Sequence, residues 1–169
     1  MREMTETELR RIETAFDAGD LAALREALGP QFPLGEMPEE ISPVLELAIA
    51  RSPLSFLRTL IGLGAGPGYE SDTGFPSLFA ALSTHREDRY EILELLLAAG
   101  ADIQQRGLND WTPLHYAANH DDAKAVELLL AHGADPTART RIDGLTTALE
   151  EAERLHHTEV ATLLRKAGR

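Results

Sequence analysis

The sequence predicts an all-α solenoid of stacked helix-turn-helix units joined by short β-turn tips. Three observations favour it: leucine-rich stretches that end at glycine recur about every 33 residues, a shorter stretch with small apolar residues precedes each one, and threonine or proline stands where several of the shorter stretches begin. A helix pair of this length buries its apolar side only against neighbouring pairs. Residues 1–169 are therefore predicted to form a single domain of about five units.

The second helix of each unit is predicted from its recurring end. Leu95–Asp102 reads Leu-Leu-Leu-Ala-Ala-Gly-Ala-Asp, and Leu128–Asp135 reads Leu-Leu-Leu-Ala-His-Gly-Ala-Asp. In each stretch the leucines fall on one side of a helix, and the glycine is able to end that helix in the left-handed conformation. Weaker copies of the pattern occupy residues 21–29, 60–66 and 163–168.

The first helix of a unit is predicted from its beginning. Thr112 is placed to be the N-cap of a helix and Pro113 to be its first residue, where the missing N–H costs no hydrogen bond. Ser42 and Pro43 are predicted to open another helix in the same way.

Residues 112–117 carry the most specific motif of the chain, Thr-Pro-Leu-His-Tyr-Ala, and this motif resembles the ankyrin repeat, whose pattern begins Thr-Pro-Leu-His-x-Ala. The resemblance runs nearly end to end through the unit that closes at Asp135. Pro30–Glu40, with three prolines, is then an irregular loop or a short arm with its own contact surface. The predicted units are 5–40 as a degenerate N-terminal cap, 41–70, 71–106, 107–139, and 140–169 as the C-terminal cap.

Composition excludes several classes of protein. Twenty-eight acidic residues against 16 lysines and arginines give a net charge of −12, which repels nucleic acid. The chain has no cysteine, so disulfides and thiolate metal sites are excluded. Its apolar runs are shorter than the ~18 to 20 residues that span a membrane. Because the first ten residues are acidic and polar, unlike a secretory signal, we expect a cytoplasmic protein.

No pattern in the sequence favours catalysis. Gly62–Gly68 alternates glycine with other residues, but it closes a leucine-rich stretch and lacks the Gly-Lys-Ser/Thr of a nucleotide loop. The six histidines form no helical His-x3-His pair, and the many carboxylates belong to no known catalytic motif. We therefore predict no metal, no cofactor and no enzymatic activity. The resemblance implies that His115 is a structural residue, in a hydrogen-bond network that holds neighbouring turns.

The resemblance also implies where a partner binds, at the loop tips and on the exposed side of the first helices. Trp111 is the strongest candidate, because it is the only tryptophan and stands at a tip. Phe75 holds the equivalent place one unit earlier, so the two rings would form one patch. The alternative is that Trp111 folds back over Leu108 or the neighbouring loop. The candidate contact residues, with two arginines flanking the patch, are Glu70, Asp72, Thr73, Phe75, Ser83, Thr84, Arg106, Leu108, Asn109, Trp111, Asn119, His120 and Arg139.

The charge balance adds information about the partner. The first 84 residues carry 13 acidic and six basic residues, so this half holds −7 of the net −12. We predict a non-enzymatic protein–protein interaction module, monomeric on its own, that binds a macromolecular partner through its tips and its concave helix face; the charge favours a basic partner. The alternative is a small acidic inhibitor or immunity-type protein that neutralises a basic toxin or enzyme.

Overall fold

The computed structural model describes residues 4–34, 43–68, 75–142 and 144–168. These residues form ten α-helices and one short 3-10 turn at Leu108–Asp110, and their only extended pairing is an isolated bridge between Arg139 and Thr147. The all-α prediction is confirmed. The helices are α1 (Glu6–Ala18), α2 (Leu21–Leu28), α3 (Val44–Arg51), α4 (Leu54–Gly62), α5 (Ser77–Ser83), α6 (Arg89–Ala98), α7 (Pro113–Asn119), α8 (Ala123–Ala131), α9 (Ala148–Arg154) and α10 (Thr158–Ala167).

The helices stack in two layers. Each predicted unit holds one pair of consecutive helices in contact, from α1 with α2 in the first unit to α9 with α10 in the fifth. The first helices α1, α3, α5, α7 and α9 pack one on the next, while α4 packs on α6 and α8 on α10 in the second layer. No helix of the described residues is long and apolar enough to cross a membrane.

The core lies between these layers and follows the predicted leucine periodicity. Leu60, Leu96, Leu129 and Leu164 lie on the second helices of the second to fifth units, one on each, and each is at most 1% exposed. Burying a side chain of this size stabilises the fold by about 1.5–3 kcal/mol. The continuous core thus depends on every unit having a neighbour.

The start of α7 agrees with the sequence prediction, whereas the start of α3 differs from it. Thr112 accepts a hydrogen bond from the backbone N–H of His115, and Pro113 is the first residue of α7. In contrast, α3 begins at Val44 and Pro43 takes the N-cap position, so Pro43 is not the first helical residue as predicted. Its extended backbone, with ψ of 131°, places it before the helix, and Ser42 lies outside the described residues.

The glycines that end the second helices have the predicted conformation in the central units. Gly100 and Gly133 have φ of 91° and 89°, in the region that favours glycine. Gly168 differs, because its φ of −82° continues the right-handed turn and its N–H donates to Leu164 O. The left-handed ending predicted for this copy is therefore wrong.

Charged side chains link the first three units. Arg51 at the end of α3 donates two hydrogen bonds of 2.9 Å to the carboxylate of Asp17 on α1. Arg86, in the turn before α6, reaches back to the carbonyl oxygens of Ile49 and Ser52 at the end of α3. Each junction therefore adds a specific polar bond to the apolar packing.

The last two junctions use different groups. Arg89 of α6 forms an ion pair of 2.8 Å with Asp122, which also caps α8. His157, before α10, lies 2.9 Å through Nδ1 from the carbonyl oxygen of Ala118 at the end of α7. The junctions between units thus differ in chemistry, although the helices repeat.

Candidate functional site

Five rings from the third and fourth units meet on the first-helix layer. Tyr116 of α7 lies at their centre, with ring centroids 6.5 Å from Phe75, 5.4 Å from Phe79 and 6.4 Å from Trp111, all edge to face. On its other side Tyr116 stacks on the imidazole of His120 at 4.1 Å. Edge-to-face rings at these distances attract one another beyond the burial of their area. We call Phe75, Trp111, Tyr116 and His120 the aromatic patch.

The patch is partly open to solvent. Phe79 is fully buried and forms its floor, whereas Phe75, Trp111 and Tyr116 are half-buried and His120 is exposed. Burial raises the pKa of Tyr116, so its hydroxyl stays protonated at neutral pH. The result is a rigid apolar surface with a polar edge, the composition that protein interfaces favour.

A shallow groove continues from the patch. It has a volume of about 630 Å³ and runs between the turns of the third and fourth units. Tyr116 and His120 line it together with Ser83 on α5 and Tyr90 on α6. The patch and the groove therefore form one surface across the junction of these units.

Phe75 and Trp111, the two aromatic residues proposed from the sequence, both contact the ring of Tyr116, which was not among the proposed residues. Trp111 lies edge to face against that ring. Tyr116 occupies the variable position of the Thr-Pro-Leu-His-x-Ala motif, on the exposed side of a first helix. An aromatic residue at that position was the signal that could have identified it.

Arg106 does not project freely beside the patch. Its guanidinium donates a hydrogen bond of 2.9 Å to the carboxylate of Asp110. It donates a second, also of 2.9 Å, to the carbonyl oxygen of Arg139, a residue of the next tip. Arg141 also donates to the Asp110 carboxylate, at 2.6 Å. The hydrogen bond from Arg141 is the main reason that the pKa of Asp110 is lowered. Arg106 thus fixes the geometry of two neighbouring tips.

Arg139 is also held within the chain. Its guanidinium donates to both carboxylate oxygens of Glu150 at 3.0 Å and to the carbonyl oxygen of Leu145. A hydrogen bond from the backbone of Thr147, followed by that from Arg139, lowers the pKa of Glu150. The two arginines predicted to flank the patch therefore stabilise the tips themselves.

The backbone at the tip of the fourth unit is left-handed at two successive residues. Asn109 has φ of 58° and Asp110 has φ of 59°, and both residue types tolerate this conformation. The turn ends with a hydrogen bond of 2.9 Å from Gly107 N–H to Trp111 O. Asn109 is exposed on this turn, two residues before Trp111.

His115 has the structural role that the resemblance implied. Its ring is 1% exposed, with Nδ1 2.8 Å from the hydroxyl oxygen of Thr112 and Nε2 3.0 Å from the carbonyl oxygen of Thr146. Burial lowers the pKa of His115. The imidazole therefore links the start of α7 to the tip of the fifth unit.

Three of the remaining candidates are described, and they lie at the ends of first helices. Ser83 and Thr84 are half-buried at the end of α5, and Asn119 is half-buried on the last turn of α7. Glu70, Asp72 and Thr73 lie outside the described residues, as does the side chain of Leu108. The alternative position of Trp111 over the Leu108 side chain is therefore not described.

Comparison with known proteins gives a family match over the units that carry the patch. A family model described as ankyrin repeats in three copies matches residues 45–140 and 78–169, which together are more than half of the chain.

Similar curated proteins carry the same repeat within longer chains. A putative ankyrin repeat-containing protein of Treponema pallidum (strain Nichols) is 34% identical over 121 residues, 72% of this chain and 36% of its own length. RelA-associated inhibitor of Mus musculus is 34% identical over 100 residues, 58% of this chain and 12% of that protein. Alpha-latroinsectotoxin-Lt1a of Latrodectus tredecimguttatus is 35% identical over 102 residues, 60% of this chain and 7% of the toxin. The chain thus spans about a third or less of the length of each. With its stacked helix pairs, its Thr-Pro-Leu-His start and this family match, the chain belongs to the ankyrin repeat family.

Proposed function

We propose that this chain is a non-enzymatic protein-binding module whose partner docks on the aromatic patch and the neighbouring tips. The observation that carries the proposal is the meeting of Phe75, Trp111 and His120 around Tyr116, on the exposed side of the first helices. Ankyrin repeats are protein–protein interaction modules, and central aromatic residues provide much of the binding energy in protein interfaces.

The rigidity of this surface supports the proposal. The tips are fixed by Arg106 and Arg139, and the patch rests on the buried ring of Phe79. A surface that is ordered before docking loses little conformational entropy when a partner binds. The ionisable groups near the patch, such as His115 and Asp110, are already used in hydrogen bonds that hold the fold.

The experiment that tests the proposal compares the intact protein with the double variant Phe75→Ala, Trp111→Ala in affinity capture from native lysate. Leu34→Ala serves as the control, because Leu34 is an exposed apolar side chain in the first half of the chain. Equal thermal midpoints are established first. A partner retained by the intact protein and by the control, and lost from the double variant, is the expected result; equal retention by all three would place the binding surface elsewhere.

Net charge favours a second candidate, a small acidic inhibitor or immunity-type protein that covers a basic site. The net charge of −12 attracts a basic protein over long range and raises its association rate. Association that weakens steeply between low and high salt supports this candidate, whereas salt-insensitive binding that depends on Trp111 supports the aromatic patch. The monomeric state and the cytoplasmic location stay predictions, and size-exclusion chromatography checks the first.

A further inference from the structure

A carboxylate with no partner among the described residues lies on the N-terminal side of the aromatic patch. Glu46 is half-buried on α3, away from the helix side that carries Leu45, Ala48 and Ile49 into the core. Among the described residues it has no hydrogen bond and no ion pair. Burial raises the pKa of Glu46, as expected for a carboxylate that has lost hydration without gaining a partner.

The register of the repeats shows what is unusual about this residue. Glu46 is the third residue of α3, and His115 is the third residue of α7. His115 completes its bonds with Thr146 O at the next tip, whereas Glu46 makes no corresponding bond to any described residue; residues 69–74 of the tip that follows α3 lie outside the described residues. A partly desolvated carboxylate of this kind is stabilised when a cation is placed beside it.

Arg51 on α3 and Arg86, which bonds to the end of α3, are already engaged. Arg51 is bound by Asp17 at 2.9 Å and by Glu13 at 3.5 Å, and Arg86 is bound by Asp88 and by backbone carbonyls of α3. Neither arginine is therefore free to neutralise Glu46, in a half of the chain that carries an acidic excess.

The opposite side of the patch differs. Glu150 is paired with Arg139, and Glu151 with Arg154. Burial by itself would raise the pKa of Glu151, but hydrogen bonds from Arg154 and Thr146 outweigh it and lower that pKa. These carboxylates are compensated within the chain, whereas Glu46 on α3 is paired with no described residue, so the two ends of the first-helix layer differ in this respect.

The fold also sets the distance between the free charge and the patch. Because α3 packs on α5 and α5 on α7, Glu46 and Tyr116 lie two helix spacings apart. Packed helix axes are separated by about 8–10 Å, so this distance is about 16–20 Å. An extended chain advances about 3.3–3.6 Å per residue, so five or six residues cover it.

We propose that the first-helix layer binds an extended segment of the partner protein that places an apolar or aromatic side chain on the aromatic patch and a lysine or arginine, five or six residues away, beside Glu46. This inference rests on the proposed function and specifies the partner's chemistry and direction. The apolar contact supplies the hydrophobic part of the affinity, and the cation fixes which way the segment runs.

The test uses synthetic Gly/Ser peptides with one phenylalanine and one arginine separated by two to eight positions, and the same peptides with glutamine for arginine. Trp111 is the only tryptophan and lies in the patch, so its fluorescence reports binding. The expected result is an affinity maximum at a spacing of five or six, where the arginine peptide binds about three- to tenfold more tightly than its glutamine counterpart.

Variants assign this preference to one carboxylate. Glu46→Gln should abolish the advantage of arginine, and Glu46→Lys should reverse it toward a peptide with glutamate in place of arginine. The control is Glu127→Gln on α8, which likewise removes a carboxylate with no partner among the described residues, but at an exposed position away from the first-helix layer. Circular dichroism and thermal midpoints confirm that each variant folds.

The inference is overturned if arginine and glutamine peptides bind alike at every spacing, if Glu46→Lys keeps the preference for arginine, or if no peptide changes the emission of Trp111. A different result would overturn the proposed function. It is overturned when the captured partner is retained by the Phe75→Ala, Trp111→Ala variant, whatever the charge at position 46.

Discussion

Nε2 of His115 lies 3.0 Å from the carbonyl oxygen of Thr146, which joins a side chain of the fourth unit to the backbone of the fifth. A carbonyl oxygen only accepts hydrogen bonds, so Nε2 carries the proton. In the neutral ring Nδ1 then accepts from the hydroxyl of Thr112 at 2.8 Å. A single buried imidazole thus holds both the start of α7 and the junction to the next unit.

Replacing His115 tests this role. His115→Ala removes the hydrogen bonds of the ring to Thr146 O and to the hydroxyl and backbone N–H of Thr112, so we expect the free energy of unfolding to fall by about 2–4 kcal/mol. Urea denaturation followed by circular dichroism at pH 7.5 measures the change. His132→Ala, at an exposed position, is the control and should stay within about 0.5 kcal/mol. Equal effects of the two substitutions would contradict the assignment.

Acid should weaken the fold through the same residue. The pKa of His115 is lowered in the folded protein, so the unfolded chain binds the proton more readily. The free energy of unfolding therefore falls as the pH drops below about 6.5, the pKa of an unperturbed histidine, and continues to fall until the folded-state pKa is passed. His115→Gln should flatten this dependence between pH 7 and 5. The lowered carboxylate pKa values, such as that of Asp110, act at lower pH, below about 4. An unchanged slope in His115→Gln would refute the assignment.

Two glycines should respond to alanine in opposite directions. Gly133 has φ of 89°, where a side chain is strained although a Cβ would meet no atom within 4 Å, so Gly133→Ala should destabilise the protein by about 1–2 kcal/mol. Gly62 lies within α4 and also has open space around a Cβ, so Gly62→Ala should stabilise it by about 0.5–1 kcal/mol. Thermal midpoints of the pair measure both changes, and shifts of the same sign would contradict this prediction.

Asp110 should contribute more to the stability of the fold than Asp121, an exposed aspartate that also has a positive φ. Asp110→Asn weakens the bonds to Arg106 and Arg141 while keeping a residue that tolerates positive φ, and we expect a loss of about 1–2 kcal/mol. Asp121 has φ of 54° and no ion pair among the described residues, so Asp121→Asn removes a charge at a matched backbone and should be nearly neutral. Urea denaturation of both variants separates the contribution of the ion pairs to the free energy of unfolding from that of the backbone conformation.

Local patterns predicted most of the fold. The helix start at Thr112 and the left-handed ends at Gly100 and Gly133 follow from capping and from the conformational freedom of glycine, which depend on a few neighbouring residues. His115 was identified only through the resemblance to a known repeat, because its second hydrogen bond reaches a residue 31 positions away.

The site was less predictable, because it depends on where long side chains reach. The sequence placed Phe75 and Trp111 on neighbouring tips, but not the ring of Tyr116 between them. It proposed Arg106 and Arg139 as contacts for a partner, whereas their guanidinium groups bind within the chain. Repeat register fixes the position of a Cα, and the tertiary structure decides what an arginine at that position binds.

The unequal chemistry of the junctions gives the two ends of the solenoid different weaknesses. The polar link between the first and second units is the set of ion pairs of Arg51, which salt screens, whereas the links between the fourth and fifth include the buried imidazole of His115, which acid protonates. High ionic strength should therefore fray the chain from its N-terminal helices, and mild acid from its C-terminal ones. The junction of the third and fourth units, which combines the ring contacts of Tyr116 with the less exposed ion pair of Arg89 and Asp122, should respond less to either medium.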